Sequence, residues 1–223
     1  MIVYILPVLA VFTGFLIAYL FKPVIGTSVR LLLSFSGAFL LGVMVFEFLP
    51  ELFAHKDRQI GIGILLGILI QIILESLSRG AEHGHLHLDP KMKQFPLLLF
   101  LGLAGHAFFE GLPLGNNPSL LIGVVVHKVP IAIIVSAFLL VSDMSKMRIF
   151  TFLLLFGLMT PLGSWMLSAI PGLQAYSVFL LSVVVGLLLH VSTTIIFESS
   201  KNHQFNLGKI SVIVAGMVLS YFV

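Results

Sequence analysis

The chain has 223 residues, of which 59% are hydrophobic and 9% charged, and its mean hydropathy is +1.15. This composition excludes a soluble domain with a buried core and is typical of a polytopic membrane protein. The formal net charge of +3 is better explained by the placement of charges between spans than by a nucleic-acid-binding surface. Because the chain contains no cysteine, disulfides and thiolate metal sites are excluded.

The apolar runs predict an all-α membrane protein that forms a single transmembrane domain, residues 1–223. About 20 apolar residues cross the hydrocarbon core of a bilayer once, so that this length permits about eight crossings. The eight predicted spans are residues 1–21, 31–53, 60–77, 95–115, 119–141, 149–169, 175–198 and 208–223. The connections are short apart from a polar loop, residues 78–94, between spans three and four.

The basic residues predict the orientation of these spans. The three loops on one side would together hold only Lys56 and Arg58. The segments on the other side hold Lys22, Arg30, Arg79, Lys91, Lys93, Lys146, Arg148, Lys201 and Lys209. Since basic residues concentrate on the inner side of membranes, we expect both termini outside and the 78–94 loop inside.

Ionisable residues within the apolar spans are the strongest indication of function. The fourth span, FPLLLFLGLAGHAFFEGLPLG (95–115), places His106 and Glu110 one helical turn apart on one face. The fifth span carries His127, which the short turn between the spans puts at a similar depth, about 15 Å below the surface. On insertion scales each such side chain costs about 2.5–3.5 kcal/mol, so these residues usually serve function.

Two imidazoles and a carboxylate at one depth predict a transition-metal site. Imidazole suits zinc, copper, iron and nickel, and two histidines with one glutamate leave a position for water in an exchangeable zinc site. The alternative is that each polar group makes only a hydrogen bond between helices. For His106, Glu110 and His127 together the metal site is the favoured interpretation, although the sequence alone does not show that their faces meet.

Prolines and glycines near these residues predict broken or closely packed helices. Pro113, Pro130 and Pro161 fall within spans four, five and six. Each is expected to free the backbone carbonyl four residues earlier, at Phe109, Val126 and Gly157. Interrupted helices at the midplane recur in secondary transporters, although proline is also common in membrane helices generally. Gly111 and Gly115 form a small-residue ridge that allows another helix to approach.

These motifs resemble those of the ZIP (ZRT/IRT-like) zinc and iron transporters. The segments HAFFEGLPLG (106–115) and HKVPIAIIVSAFL (127–139) are similar to the family's fourth and fifth spans. EFLPE (47–51), MTPLGS (159–164) and GLLLHVSTT (186–194) resemble segments of its second, sixth and seventh spans. Glu47 stands where histidine is common, and His190 replaces a tyrosine. The resemblance extends over most of the chain.

The resemblance implies facilitated uptake of a divalent metal toward the cytosol, across a plasma membrane or a bacterial inner membrane. The metal is mainly Zn(II), with Fe(II), Mn(II) and Cd(II) as alternatives. The resemblance also implies a homodimer, and a protein that is neither an enzyme nor a binder of nucleic acid. Carried over by position, His106, Glu110 and His127 would be the ligands of the primary metal site.

A second metal site, present in several members, is not matched by this chain. At the positions of its ligands, this chain has residues that do not bind metal or that carry a positive charge: Ala107, Lys128, Ile131 and Thr160. The substitutions resemble single-metal branches of the family. Here the Lys128 ammonium would substitute for the charge of the second cation and neutralise Glu110. Alternatively, Lys128 extends along its helix toward water, and the sequence favours neither arrangement.

Further candidates lie near the two membrane surfaces. Glu47 and Glu51 would form an anionic outer vestibule, or else a solvated helix end beside Lys56 and Arg58. Acidic residues alternate with histidines in the inner loop, which contains Glu82, His83, His85, His87 and Asp89. Such a loop is expected to accept exiting metal or to sense it, against the alternative of a polar solvated loop. His190 and Glu198, on one face of span seven, would line the exit.

Three functions remain open at this point. The leading one is a metal transporter whose midplane site opens alternately to each side. The second is an intramembrane zinc hydrolase, since two histidines and a glutamate can activate water on zinc, although HEXXH and G-x-S-x-G motifs are absent. The third is a sensor or scaffold with a structural metal, which a closed four-ligand site would favour.

Overall fold

The computed structural model describes residues 1–21, 27–83, 91–198 and 207–223, and within these ranges the chain is almost entirely helical. The helices are α1 (Ile2–Phe21), α2 (Thr27–Val43), α3 (Leu49–Ala54), α4 (Arg58–Ser78), α5 (Leu97–Gly111), α6 (Pro118–Val141), α7 (Lys146–Ala169), α8 (Pro171–Gln174), α9 (Ser177–Glu198) and α10 (Leu207–Ser220). A π-helical turn, Met44–Phe48, joins α2 to α3, and 3-10 turns occupy Ala81–His83 and Leu112–Asn116.

Most of the predicted spans are helices long enough to cross a membrane. In the described part of the chain, seven helical segments have the length and apolar composition of a span, including Ser28–Ala54 as one continuous segment. The protein is therefore an all-helical, polytopic membrane protein. The eighth predicted span corresponds to α10, whose 14 residues are apolar but shorter than the other spans. Eight crossings thus stay a prediction.

The two termini lie at the same end of the helix bundle. The Ser119 hydroxyl, in the first turn of α6, donates a hydrogen bond of 3.0 Å to the carbonyl of Val223. The ring of Phe12 lies 5.9 Å from that of Phe150 near the start of α7, and a Cβ atom added at Gly157, further along α7, would lie 3.6 Å from Val8 and Val11, so α1 and α7 run antiparallel. The N-terminus therefore lies at the end where α7 finishes and α6 begins. That this end faces outward stays a prediction.

Two glycines allow α5 and α7 to pack with their backbones in contact. A Cβ atom added at Gly111 would lie 2.2 Å from the carbonyl oxygen of Thr160, and one at Gly163 would lie 2.2 Å from that of Phe108. No larger residue fits at either position without separating the helices. The close helix approach predicted for Gly111 and Gly115 occurs at Gly111 but not at Gly115, which is exposed in the following 3-10 turn. Its consequence is that Thr160 lies beside the last turn of α5.

Pro113 lies within the spanning segment Leu97–Gly115, and Pro130 and Pro161 lie inside α6 and α7, as predicted, but the expectation that Pro113 frees the Phe109 carbonyl was wrong. Helix α5 ends at Gly111, and Pro113 belongs to the following 3-10 turn. The Phe109 carbonyl is not freed, because it accepts the N–H of Leu112. Pro113 lies close to the turn that follows α5. There the backbone tightens into a 3-10 helix, which tolerates the missing proline N–H, so that α5 ends instead of kinking.

The segment after α4 folds back against the bundle. Arg79 and Gly80 adopt left-handed conformations, with φ of 54° and 73°, and this ends the helix and reverses the chain. Ala81 and Glu82, which follow, are both 0% exposed. The reversal thus buries an acidic side chain from the beginning of the inner loop within the helical bundle.

Candidate metal site

His106 and Glu110 lie on one face of α5 and are both buried, with exposed fractions of 2% and 1%. The helical spacing places His106 Nε2 3.4 Å from Glu110 Oε2. Neither side chain faces the lipid side of the bundle. The sequence prediction was that both side chains lie on one face of the helix, and the structure places that face inside the bundle.

His127 brings a second imidazole to the same place from α6. It is 1% exposed, and its ring centroid lies 6.1 Å from that of His106, with the two ring planes inclined by 70°. The structure thus brings together all three residues that the sequence suggested as ligands. Their role as ligands stays a prediction.

Lys128 is buried beside Glu110 rather than extended toward water. Its side chain is 2% exposed, and its ammonium Nζ contacts Glu110 Oε1. The ammonium also lies 4.8 Å from the ring centroid of Phe156 on α7, which favours the cation through the ring quadrupole. The arrangement is the one expected of a residue that neutralises Glu110, not of one that follows its helix to the surface.

The two oxygens of Glu110 have different surroundings. Thr160 Oγ1 lies 2.9 Å from Glu110 Oε1 and 3.0 Å from the Ala107 carbonyl, so its one proton is shared between two acceptors. Lys128 also binds Oε1, whereas Oε2 faces His106. One oxygen is thus held by a cation and a hydroxyl, and the other is directed at the imidazoles.

In this arrangement, no three His, Asp or Glu side chains of the described ranges lie close enough together to hold a metal ion. His106 and Glu110 form a pair at 3.4 Å, and the His127 ring lies beyond it, 6.1 Å from the His106 ring. The donor set nevertheless suits zinc, because imidazole nitrogens and a carboxylate oxygen are its usual ligands apart from thiolate.

Two residues that the sequence did not assign to this place lie behind His106. Gln71, from the middle of α4, is 0% exposed, and its Oε1 lies 3.1 Å from His106 Nδ1. Gln71 Nε2 donates to Glu82 Oε2, so that a buried polar chain extends from His106 toward the inner loop. Gln71 could have been noticed as the one amide within the apolar run IGILLGILIQIILES. The burial of Glu82 was not foreseeable, because it depends on the reversal at Arg79.

The predicted outer residues, Glu47 and Glu51, are exposed. Glu47 lies in the π-helical turn and Glu51 in the first turn of α3. A separate cavity of about 410 Å³ lies at the same end of the bundle, between the 3-10 turn after α5, α7, α8 and the start of α9. Its polar lining comes mainly from Ser164, Ser168, Gln174 and Ser177.

At the end of the bundle that is predicted to face inward, the structure pairs His190 with an acidic residue of another helix. His190 Nδ1 lies 3.5 Å from Glu75 Oε2, and both side chains are about one-fifth exposed, at 20% and 22%. Glu198, which the sequence grouped with His190, is exposed at the end of α9. His85 and His87 lie outside the described residues, and only the backbone of His83 is described.

The fold and the buried site together define a polytopic membrane protein with an ionisable cluster inside its helical bundle, which is typical of proteins that move ions. A model of the ZIP zinc transporter family matches residues 81–223, well over half of the chain and all of the helices from α5 onward. The chain belongs to this family. A comparison with curated proteins finds no match.

Membership in the family establishes the general activity. ZIP proteins transport zinc and other divalent metals and are not enzymes. At this level the chain is a membrane transporter of zinc or related metals, and the hydrolase interpretation is not retained. The matched region contains His106, Glu110, His127 and Lys128, whereas Gln71 lies before it.

Proposed function

We propose that the protein carries a divalent metal, Zn(II) before Fe(II), Mn(II) or Cd(II), across a cell membrane toward the cytosol. The metal binds to His106, Glu110 and His127 within the membrane, and this site opens alternately to the two sides. The working form is a homodimer in a plasma or bacterial inner membrane, as the family resemblance implies.

The observation that carries the proposal is the 3.4 Å separation of His106 Nε2 and Glu110 Oε2. In a tetrahedral zinc site with ligand distances of about 2.05 Å, two neighbouring ligand atoms lie about 3.3 Å apart. The two atoms are therefore spaced as one edge of such a site, and a zinc ion could bind between them with little movement of α5.

His127 is suited to be the third ligand. Two imidazoles on one tetrahedral zinc have ring centroids about 5.2 Å apart, if each binds through one nitrogen. The rings of His106 and His127 are 6.1 Å apart. A shift of about 1 Å would close this gap, so metal binding is expected to draw α5 and α6 together.

Lys128 allows the metal to use one carboxylate oxygen only. Its ammonium and the Thr160 hydroxyl hold Glu110 Oε1, which leaves Oε2 for the metal. In this proposal the ammonium takes the place of a second metal ion and compensates Glu110 in the metal-free protein. A single-metal site with water as fourth ligand follows, and such an open site releases its metal more readily than a closed one.

X-ray absorption at the zinc edge tests the ligand set. Zinc bound to the purified protein should show only nitrogen and oxygen neighbours at about 2.0–2.2 Å, with the multiple scattering of two imidazoles. Replacing His127→Ala should lower the imidazole number from two to one, whereas replacing the exposed His55→Ala should not. An unchanged imidazole number in the His127 variant would reject His127 as a ligand.

The outer cavity is suited to be the access route from outside. Thr160, Ser164 and Ser168 occur one turn apart on α7, so that hydroxyls extend from Glu110 toward the cavity on one helix face. The Ser164 hydroxyl is 2% exposed, lines the cavity and has no hydrogen-bond partner among the described residues. A hydroxyl so placed can exchange hydrogen bonds with a passing hydrated cation. Glu47 and Glu51 would draw cations to this end.

Filling the cavity is expected to slow uptake without weakening the metal site. A Ser164→Leu substitution should lower the initial rate of zinc uptake by about tenfold, or about 1.4 kcal/mol in the barrier. The dissociation constant for zinc should stay as in the parent protein, because the ligands are unchanged. Ser164→Ala, which leaves the space open, is the matched control. Equal uptake by a folded Ser164→Leu variant would place the access route elsewhere.

On the inner side, metal would leave past the His190–Glu75 pair and the histidines of the loop. Imidazole and carboxylate in partly exposed positions bind metals weakly and exchange them rapidly. The 3.5 Å separation of His190 and Glu75 supports this assignment for His190. His83, His85, His87 and Glu198 would take part as later contacts of the leaving metal.

A further inference from the structure

The metal site is connected to the inner end of the protein by a continuous buried hydrogen-bonded chain. His106 Nδ1 lies 3.1 Å from Gln71 Oε1, and Gln71 Nε2 donates to Glu82 Oε2. The exposed fractions of the three side chains are 2%, 0% and 0%. The chain joins three separate elements, since His106 is on α5, Gln71 is on α4, and Glu82 is in the 3-10 turn after α4.

The donors and acceptors of this chain can be arranged in only one way while Glu82 is ionised. A carboxylate only accepts hydrogen bonds, so the amide group of Gln71 must direct its N–H toward Glu82. Its carbonyl oxygen then faces His106 and can only accept. His106 must therefore carry a proton on Nδ1, which leaves Nε2, on the side of Glu110 and His127, as the metal-binding nitrogen.

The burial of Glu82 is difficult to explain as a stabilising feature. Among the described residues its carboxylate has one hydrogen bond, to Gln71, and Glu82 Oε1 has no partner there. A buried carboxylate that is so poorly compensated destabilises a fold. The Glu82 carboxylate is connected to His106, a proposed metal ligand, by two hydrogen bonds through Gln71. Its burial is better explained by its effect on that ligand.

We infer that Gln71 and Glu82 are positioning residues for the metal site. Gln71 orients the His106 ring and selects its tautomer, and Glu82 selects the orientation of the Gln71 amide. This inference rests on the proposed function, in which His106 binds the transported metal. Partners of this kind behind a metal-binding histidine change metal affinity by about 10–100-fold when they are removed.

The test is zinc binding and the nitrogen chemical shifts of His106 in the full-length, purified protein. Gln71→Leu, which removes both hydrogen bonds, is expected to weaken zinc binding by about 10–100-fold. It should also abolish the single-tautomer nitrogen signals that are assigned to His106 by their loss in His106→Ala. Gln59→Leu, which changes an exposed glutamine at the start of the same helix, should change neither.

An exchange of the two partners separates positioning from general packing. In the double variant Gln71→Glu with Glu82→Gln, residue 71 still accepts from His106 and from residue 82, and the total charge is kept. Zinc affinity and the His106 tautomer should therefore return to within about threefold of the parent protein, since no hydrogen bond to His106 is lost. Gln71→Glu alone should not restore the parental zinc affinity, because the carboxylates of residues 71 and 82 would face each other.

Two results would overturn the inference, and they are distinguishable. If His106→Ala removes zinc binding but Gln71→Leu and the double variant retain parental affinity and parental nitrogen signals, then the site is right and the positioning role is wrong. If His106→Ala itself binds zinc as the parent protein does, then the proposed site fails and the positioning role fails with it. If Gln71→Leu does not fold, the zinc affinity and the His106 nitrogen signals of the double variant are compared with those of Gln71→Glu alone, and this comparison tests the same positioning role.

Discussion

Proteoliposomes that contain His106→Ala or Glu110→Gln are expected to take up zinc at least about 100-fold more slowly than those with the unaltered protein. The two residues supply two of three proposed ligands from one face of α5, and their facing atoms are already 3.4 Å apart. Loss of a group behind a metal ligand costs about 10–100-fold in metal affinity or activity, so loss of a ligand itself should cost more. The measurement is the initial rate of uptake of radioactive zinc or of a zinc-sensitive dye signal.

The choice of glutamine at position 110 keeps the variant folded. Glu110→Ala would leave the Lys128 ammonium buried without its partner, and breaking a buried ion pair in this way destabilises by about 3–5 kcal/mol. The amide oxygen of glutamine can still accept from Lys128 and Thr160. His55→Ala, an exposed histidine at the end of α3, controls for the loss of an imidazole. Parental uptake rates in folded His106→Ala would exclude the proposed site.

The main helices were predictable because the membrane imposes a simple condition on the sequence. Runs of about 20 apolar residues are needed to cross the hydrocarbon core, so α4 and α9 begin and end within two residues of the predicted spans 60–77 and 175–198. The ends of spans were less predictable. Pro113 was expected to interrupt a helix that ends at Gly111, because the sequence does not show where a 3-10 turn replaces the last turn of a helix.

The central residues of the candidate site were predictable for an energetic reason. An ionisable group within an apolar run is costly unless it is buried among partners, so His106, Glu110 and His127 were conspicuous. The position of the Lys128 side chain was not predictable. Lys128 follows His127 directly in the sequence, and the direction of its side chain depends on which residues of α7 lie beside it. Only the structure shows that α7 brings Thr160 and Phe156 to meet the Glu110–Lys128 pair.

The polar chain behind His106 was missed because its members carry weak sequence signals. Gln71 is uncharged, and a single amide in an apolar span is tolerated more readily than a charge. The sequence predicts that Glu82 is a loop residue, because it follows the end of α4 and precedes three histidines. Its burial depends on left-handed backbone at Arg79, a conformation that residues other than glycine adopt only occasionally.

Replacing Lys128→Met is expected to tighten zinc binding and to slow zinc release. In the unaltered protein the ammonium compensates Glu110 and remains beside the bound metal, so it repels a divalent cation. Without it, the metal alone compensates the buried carboxylate. We expect at least about tenfold tighter binding, which requires only about 1.4 kcal/mol of the repulsion to be relieved. Tighter binding of the ground state should lower the turnover of uptake at saturating zinc, because the metal must leave the site in each cycle.

The same substitution should make folding depend on the metal. The metal-free Lys128→Met variant retains a carboxylate that is 1% exposed and has lost its cationic partner, so it should be destabilised by about 3–5 kcal/mol. Zinc should therefore raise its melting temperature by more than it raises that of the unaltered protein. Lys128→Arg, which keeps the positive charge, is the matched control and should respond to zinc as the unaltered protein does. If Lys128→Met instead binds and transports zinc with parental affinity and rate, the lysine does not neutralise Glu110 in the working transporter, and the charge that a second metal would supply is not needed at this site.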